Sequence, residues 1–210
     1  MANETAQLFD MMFKHILKEA SGPAVVHFIN GLFDKNYKPN SKVAFLPNFS
    51  YKIPTFKVLE KPVSEFEKKH LDLLLPFYLL KFRRELQKKS AGSEKRKDIA
   101  NQMTALISDI DRILERHSKE NLISREDVSL LVSELSRMHS EIYGNYKEFK
   151  EVNMTLMEKV KTHHKEFEKR GEKRGIKLGE KLGKRLGAIE VLNLVKQGYK
   201  PSEIEKMVLT

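Results

Sequence analysis

Residues 98–121, DIANQMTALISDIDRILERHSKEN, decide what kind of fold this chain can adopt. Ile99, Met103, Leu106, Ile110 and Ile113 step by 4, 3, 4 and 3, which puts them on one stripe of an α-helix and spells a heptad seam. Further on, Val128, Leu131, Leu135, Met138 and Ile142 step by 3, 4, 3 and 4. That second seam runs on through Phe149, Val152 and Leu156, then slips at Val160, where supercoiling should change locally. The short polar connection at about 117–125 predicts an antiparallel helical hairpin.

Working outward, charge separates the hairpin from its flanks. The 210 residues carry a net charge of +10. Residues 1–92 hold 15 Lys/Arg against 9 Asp/Glu, residues 93–170 hold 15 against 15, and residues 171–210 hold 9 against 5. The neutral middle fits helix faces decorated with ion pairs, whereas the basic ends can attract an anionic partner such as DNA. The chain has no cysteine, which excludes disulfides, thiolate catalysis and cysteine metal sites. Its longest apolar stretch, 71–80, is broken by Asp72 and Pro76 and is too short to span a bilayer. The first 25 residues lack an apolar signal block, so the expected compartment is cytoplasmic, with no membrane partner.

After the hairpin comes a period-four repeat, GEKR GIKL GEKL GKRL GAIE, with glycines at 171, 175, 179, 183 and 187. It reads as a helix with a spiralling glycine stripe and a basic outside. Lys173, Arg174, Lys177, Lys184 and Arg185 are its candidate nucleic-acid contacts. Each glycine costs about 0.5–1 kcal/mol relative to alanine, so this helix is expected to need a packing partner. Residues 188–197 resume an amphipathic helix, with Gly198 as its cap and a last short helix starting at Pro201.

Before the hairpin, residues 7–19 and 24–32 read as helices separated by the break Ser21-Gly22-Pro23. Residues 42–46 and 55–59 are β-friendly runs punctuated by Pro47 and Pro54, and predict two short strands. Residues 70–89 read as one helix bent at Pro76, followed by the polar linker 90–97.

None of the seven histidines forms the i, i+4 pair of a helical zinc site, and no phosphate-binding glycine loop or nucleophile elbow occurs. A metal-dependent nuclease needs two carboxylates beside a Lys or Gln, so that a Mg²⁺ ion can activate water. Asp72 followed by Glu85-Leu86-Gln87 is the nearest match. On one helix these carboxylates would lie about 20 Å apart, too far to share a cation.

Residues 7–33, QLFDMMFKHILKEASGPAVVHFINGLF, with Asp10, Phe13-Lys14 and Phe28-Ile29-Asn30, resemble the start of bacterial PD-(D/E)XK proteins of the recombination-promoting nuclease or transposase type. Residues 53–83 and the hairpin with its glycine repeat resemble the C-terminal half of one subgroup. The resemblance implies a Mg²⁺-dependent DNA endonuclease, in which Asp10 and Lys14 match a family motif. The family's strands bearing an Asp and a Glu-x-Lys or Glu-x-Gln have no counterpart between Ser50 and Ile53. The expectation is therefore a mainly α chain in three parts. Residues 1–92 would be the remnant of an α/β nuclease fold with two short strands, 93–170 the antiparallel hairpin, and 171–210 a helical tail. The expected function is that of a truncated, catalytically inactive family member with no cofactor. Its hairpin would mediate oligomers with itself or with a full-length relative. Asp10, Asp72 and Glu85 are the catalytic candidates if an active Mg²⁺-dependent endonuclease survives. Lys14 and the tail cations are the contacts if the chain is a non-catalytic DNA-binding protein.

Overall fold

The computed structural model describes residues 2–43, 60–86, 92–198 and 200, with the backbone alone at 2–6, 84, 170, 174 and 190. The chain divides into two units, Met1–His164 and Lys165–Thr210. Among the described residues every regular element is a helix and there is no strand. The expected α/β remnant with two strands is thereby corrected to a helical fold. Lys42 and Val43 are irregular chain, and the rest of both predicted strands, 44–46 and 55–59, lies outside the described residues. The physical reason is that the apolar faces of the first two helices and of residues 72–82 cover one another and need no sheet. Phe77 lies 4.4 Å from Phe9 and 6.0 Å from Phe13, ring centre to ring centre, and Phe13 meets Phe28 edge-on at 5.9 Å.

The first unit begins with α1 (Ala2–Glu19) and α2 (Gly22–Phe33). Ser21 caps α2 by accepting the Ala24 N–H at 3.3 Å. Helix α3 (Val63–Lys68) ends in a Schellman turn, with Leu71 N–H donating to Phe66 O at 2.9 Å and His70 N–H to Glu67 O at 3.1 Å. His70 takes the left-handed place there, with φ 53°, where glycine is usual.

The helix expected over 70–89 is instead a 3₁₀ segment, Asp72–Phe82, followed by one turn, α4 (Arg83–Leu86), while 87–89 lie outside the described residues. Pro76 supplies no N–H and crowds the preceding turn of an α-helix. Leu71, Leu73, Leu75, Phe77 and Leu79 are all buried, so the segment has no wet side for an amphipathic helix to expose. It forms the centre of the core, touching α1, α2, α3, α5 and α6. Two phenols bind its surroundings: Tyr78 donates to Lys61 O at 2.6 Å and Tyr143 to Leu79 O at 2.5 Å.

Helices α5 (Ser93–Lys119) and α6 (Arg125–Tyr143) form the hairpin, with both seams buried apart from the half-buried Ile142. Arg125 at the start of α6 pairs with Glu115 near the end of α5, so the two run antiparallel. The expected second long helix breaks at Gly144-Asn145-Tyr146 and a 3₁₀ turn, Lys147–Phe149, before α7 (Lys150–Lys196). Arg96 near the start of α5 pairs with Glu148 at 3.8 Å, and Asp111 further along α5 bonds His163 of α7. The start of α7 therefore runs parallel to α5, giving an up-down-up bundle. The heptad phase passes unbroken through the turn, which hid the reversal.

The second unit contains residues 165–196 of α7. One uninterrupted helix replaces the glycine repeat and separate amphipathic segment that were expected. It stops at Gly198, whose φ of 92° favours glycine. The predicted short helix beginning at Pro201 lies outside the described residues.

Candidate functional site: a histidine and aspartate cluster

The three catalytic candidates are not brought together. Asp10 sits on the exposed side of α1 and accepts a hydrogen bond from Lys14 Nζ at 2.6 Å, which also occupies the predicted DNA-contacting lysine. Glu85 is on the short helix α4, half-buried. Asp72 is buried at the start of the 3₁₀ segment, where His117 Nδ1 lies 2.8 and 3.0 Å from its two oxygens. Among the described residues no three His, Asp or Glu side chains form a group that could hold a metal ion.

Around Asp72 the chain assembles a different cluster. His117 comes from the last turn of α5, His70 from the Schellman turn after α3, and His27 from α2. The His70 ring lies 5.0 Å from that of His117 and 6.0 Å from that of His27, edge-on in both cases. Gly31 makes the arrangement possible. A Cβ there would stand 1.7 Å from Lys69 O, so only glycine lets α2 approach the turn that carries His70. His70 Nδ1 is buried without a hydrogen-bond partner. Burial holds His27 below the ordinary imidazole range, with His70 and His117 pushing the same way and Asp72 opposing them. The short contact places one proton between His117 Nδ1 and the Asp72 carboxyl. Nothing in the spacing announced the cluster, because its members are separated by 43, 2 and 45 residues.

Two more carboxylates do structural work. Asp127 lies at the third position of α6 and accepts from Ser124 N–H at 2.7 Å, completing a capping box. It also accepts from Ser21 N–H at 2.7 Å and Ser21 Oγ at 2.6 Å, so one buried side chain joins the starts of α2 and α6. The spacing Ser124-x-x-Asp127 was the available signal for the cap, though not for Ser21. Asp111 bonds Lys159 and, at 2.9 Å, His163, tying α5 to α7. Burial pushes the Asp111 carboxyl up, but hydrogen bonds from His163 and Lys159 outweigh it and hold the group below the usual carboxylate range.

Lys173, Lys177, Lys184 and Arg185 are exposed on α7 of the second unit, and the Arg174 side chain lies outside the described residues. The hairpin stripe Ile99, Met103, Ile110, Ile113, Val128, Leu131, Leu135 and Met138 is buried within one chain. No family model, no curated protein and no solved structure matches the chain.

Proposed function

We propose that this chain is a non-catalytic relative of the recombination-promoting nuclease and transposase-type proteins its N-terminal residues resemble, acting as a helical scaffold that contacts other macromolecules. The observation that carries this reading is the commitment of Asp72 to His117 in the core, away from Asp10 and Glu85. Metal-assisted phosphodiester cleavage needs carboxylates that converge on one cation. Freeing Asp72 for that role would leave a buried charge without its partner, at a cost of about 3–5 kcal/mol. Asp10 meanwhile holds Lys14 on the surface of α1. Incubation of the purified chain with supercoiled plasmid and Mg²⁺ or Mn²⁺ tests the reading. No nicking above a metal-free control is expected. Metal-dependent nicking that disappears in Asp10→Ala or Asp72→Ala would overturn it.

A further inference from the structure

The second unit leaves a row of large apolar side chains in water. Leu178, Leu182, Leu186, Ile189 and Leu192 are 59, 49, 65, 45 and 58 % exposed. Their steps of 4, 4, 3 and 3 keep them on one face of α7, within about 120° of each other at 100° per residue. Lys177, Lys181 and Lys184 line one edge of that face, and Arg185 falls within it, where a long side chain can carry its charge back to the headgroups. Residues 165–196 carry ten Lys/Arg against five Asp/Glu, a net charge of +5.

We propose that this stretch of α7 is an amphipathic anchor that lies on the surface of an anionic lipid bilayer, with the leucine row sunk among the acyl chains and the lysine edge at the headgroups. No described helix is long and apolar enough to cross a membrane, and lying in the interface needs no such length. Charge and apolarity together select the occupant. Nucleic acid would pair with the lysines and leave the leucine row wet. A second copy packed on that row would bring two helices of net charge +5 into contact, whichever way they run. An anionic bilayer satisfies both the row and the edge, because basic residues add to apolar burial at such a surface. The inference does not rest on the nuclease-type reading above, since it concerns residues outside the first unit.

The test is co-sedimentation of the full chain with vesicles of phosphatidylcholine containing about one-third phosphatidylglycerol, beside pure phosphatidylcholine, with a DNA-binding assay and sedimentation velocity in parallel. Binding to the anionic vesicles is expected, with much weaker binding to the neutral ones. Neutralising Lys177, Lys181 and Lys184 together with glutamine should weaken binding on the order of 100-fold, about fivefold for each charge. Leu182→Glu with Leu186→Glu should weaken it at least tenfold while the thermal unfolding of the first unit stays unchanged, as both side chains are exposed. Absence of binding to the anionic vesicles would overturn the proposal. So would undiminished binding by the double glutamate variant, which would reduce the effect to charge alone. It would equally fall if that variant lost self-association or DNA binding while vesicle binding never appeared.

Discussion

His139 offers the sharpest test of how the first unit is held together. Its ring is fully buried in α6, 5.7 Å from Tyr143 and 6.2 Å from Phe149, and neither nitrogen has a hydrogen-bond partner. Burial lowers its pKa from 6.5 to about 4. The folded state therefore keeps this imidazole neutral where the unfolded chain already binds a proton. Stability is lost as pH falls below the unfolded value, and the loss is complete below the folded one. The full effect is about 3.4 kcal/mol at 1.36 kcal/mol per unit. At pH 5 about 2 kcal/mol of it should already be gone relative to pH 7.5. His139→Leu removes the titration at nearly constant volume and deletes two unpaired polar atoms, so it should also stabilise the protein at neutral pH, by about 1–3 kcal/mol. Urea unfolding followed by far-ultraviolet circular dichroism at pH 7.5 and 5.0 measures both quantities. His27 and Asp111, also held below their ordinary values, lose stability with acid in the same direction, while Glu134, which burial holds above its ordinary value, works the other way. All three are common to both proteins and cancel in the comparison. A leucine variant whose stability falls between pH 7.5 and 5.0 as much as the parent's would refute the reasoning.

Three further outcomes are expected. Asp127→Ala should destabilise the first unit by about 3 kcal/mol in urea unfolding, because three donors on Ser21 and Ser124 lose their acceptor; a loss under 1 kcal/mol would mean that water replaces it. His117→Leu should cost about 3–5 kcal/mol by leaving the Asp72 carboxylate buried and unpaired, and Asp72→Asn in the same chain should restore part of that loss, which a double-mutant cycle would measure. In the second unit nothing lies within 4 Å of a Cβ built on Gly179 or Gly183. Alanine at both positions should slow amide exchange across residues 176–190, each change adding about 0.5–1 kcal/mol to helix stability. Unchanged exchange would argue that the glycines are held by contacts.

The two heptad seams of residues 99–142 were readable because period 3.5 is a local property of a chain whose side chains must share one face. The break at Ser21-Gly22-Pro23 and the cap at Gly198 were readable for a similar reason, since each depends on the dihedral preferences of one or two residues. Residues 70–89 were misread because a segment buried on every side carries no periodicity, and Pro76 then tips it into a 3₁₀ path. The expected strands at 42–46 and 55–59 came from composition, and β-propensity reflects the surface a segment packs against more than the segment itself.

The candidate site was hidden more deeply. Asp72 stood out in the sequence as half of a nuclease pair with Glu85, yet its partner is His117, 45 residues away on a different helix. What the amino-acid order determined by itself was which stretches coil, which of their faces are apolar, and where positive charge accumulates, since these depend on neighbours within a turn or two. Tertiary structure alone decided that α7 reverses after Tyr146, that residues 72–82 run as a 3₁₀ segment through the centre of the core, and that His117 meets Asp72. Each of those depends on which distant surfaces exclude water from one another, and that free energy belongs to the packed pair rather than to either segment.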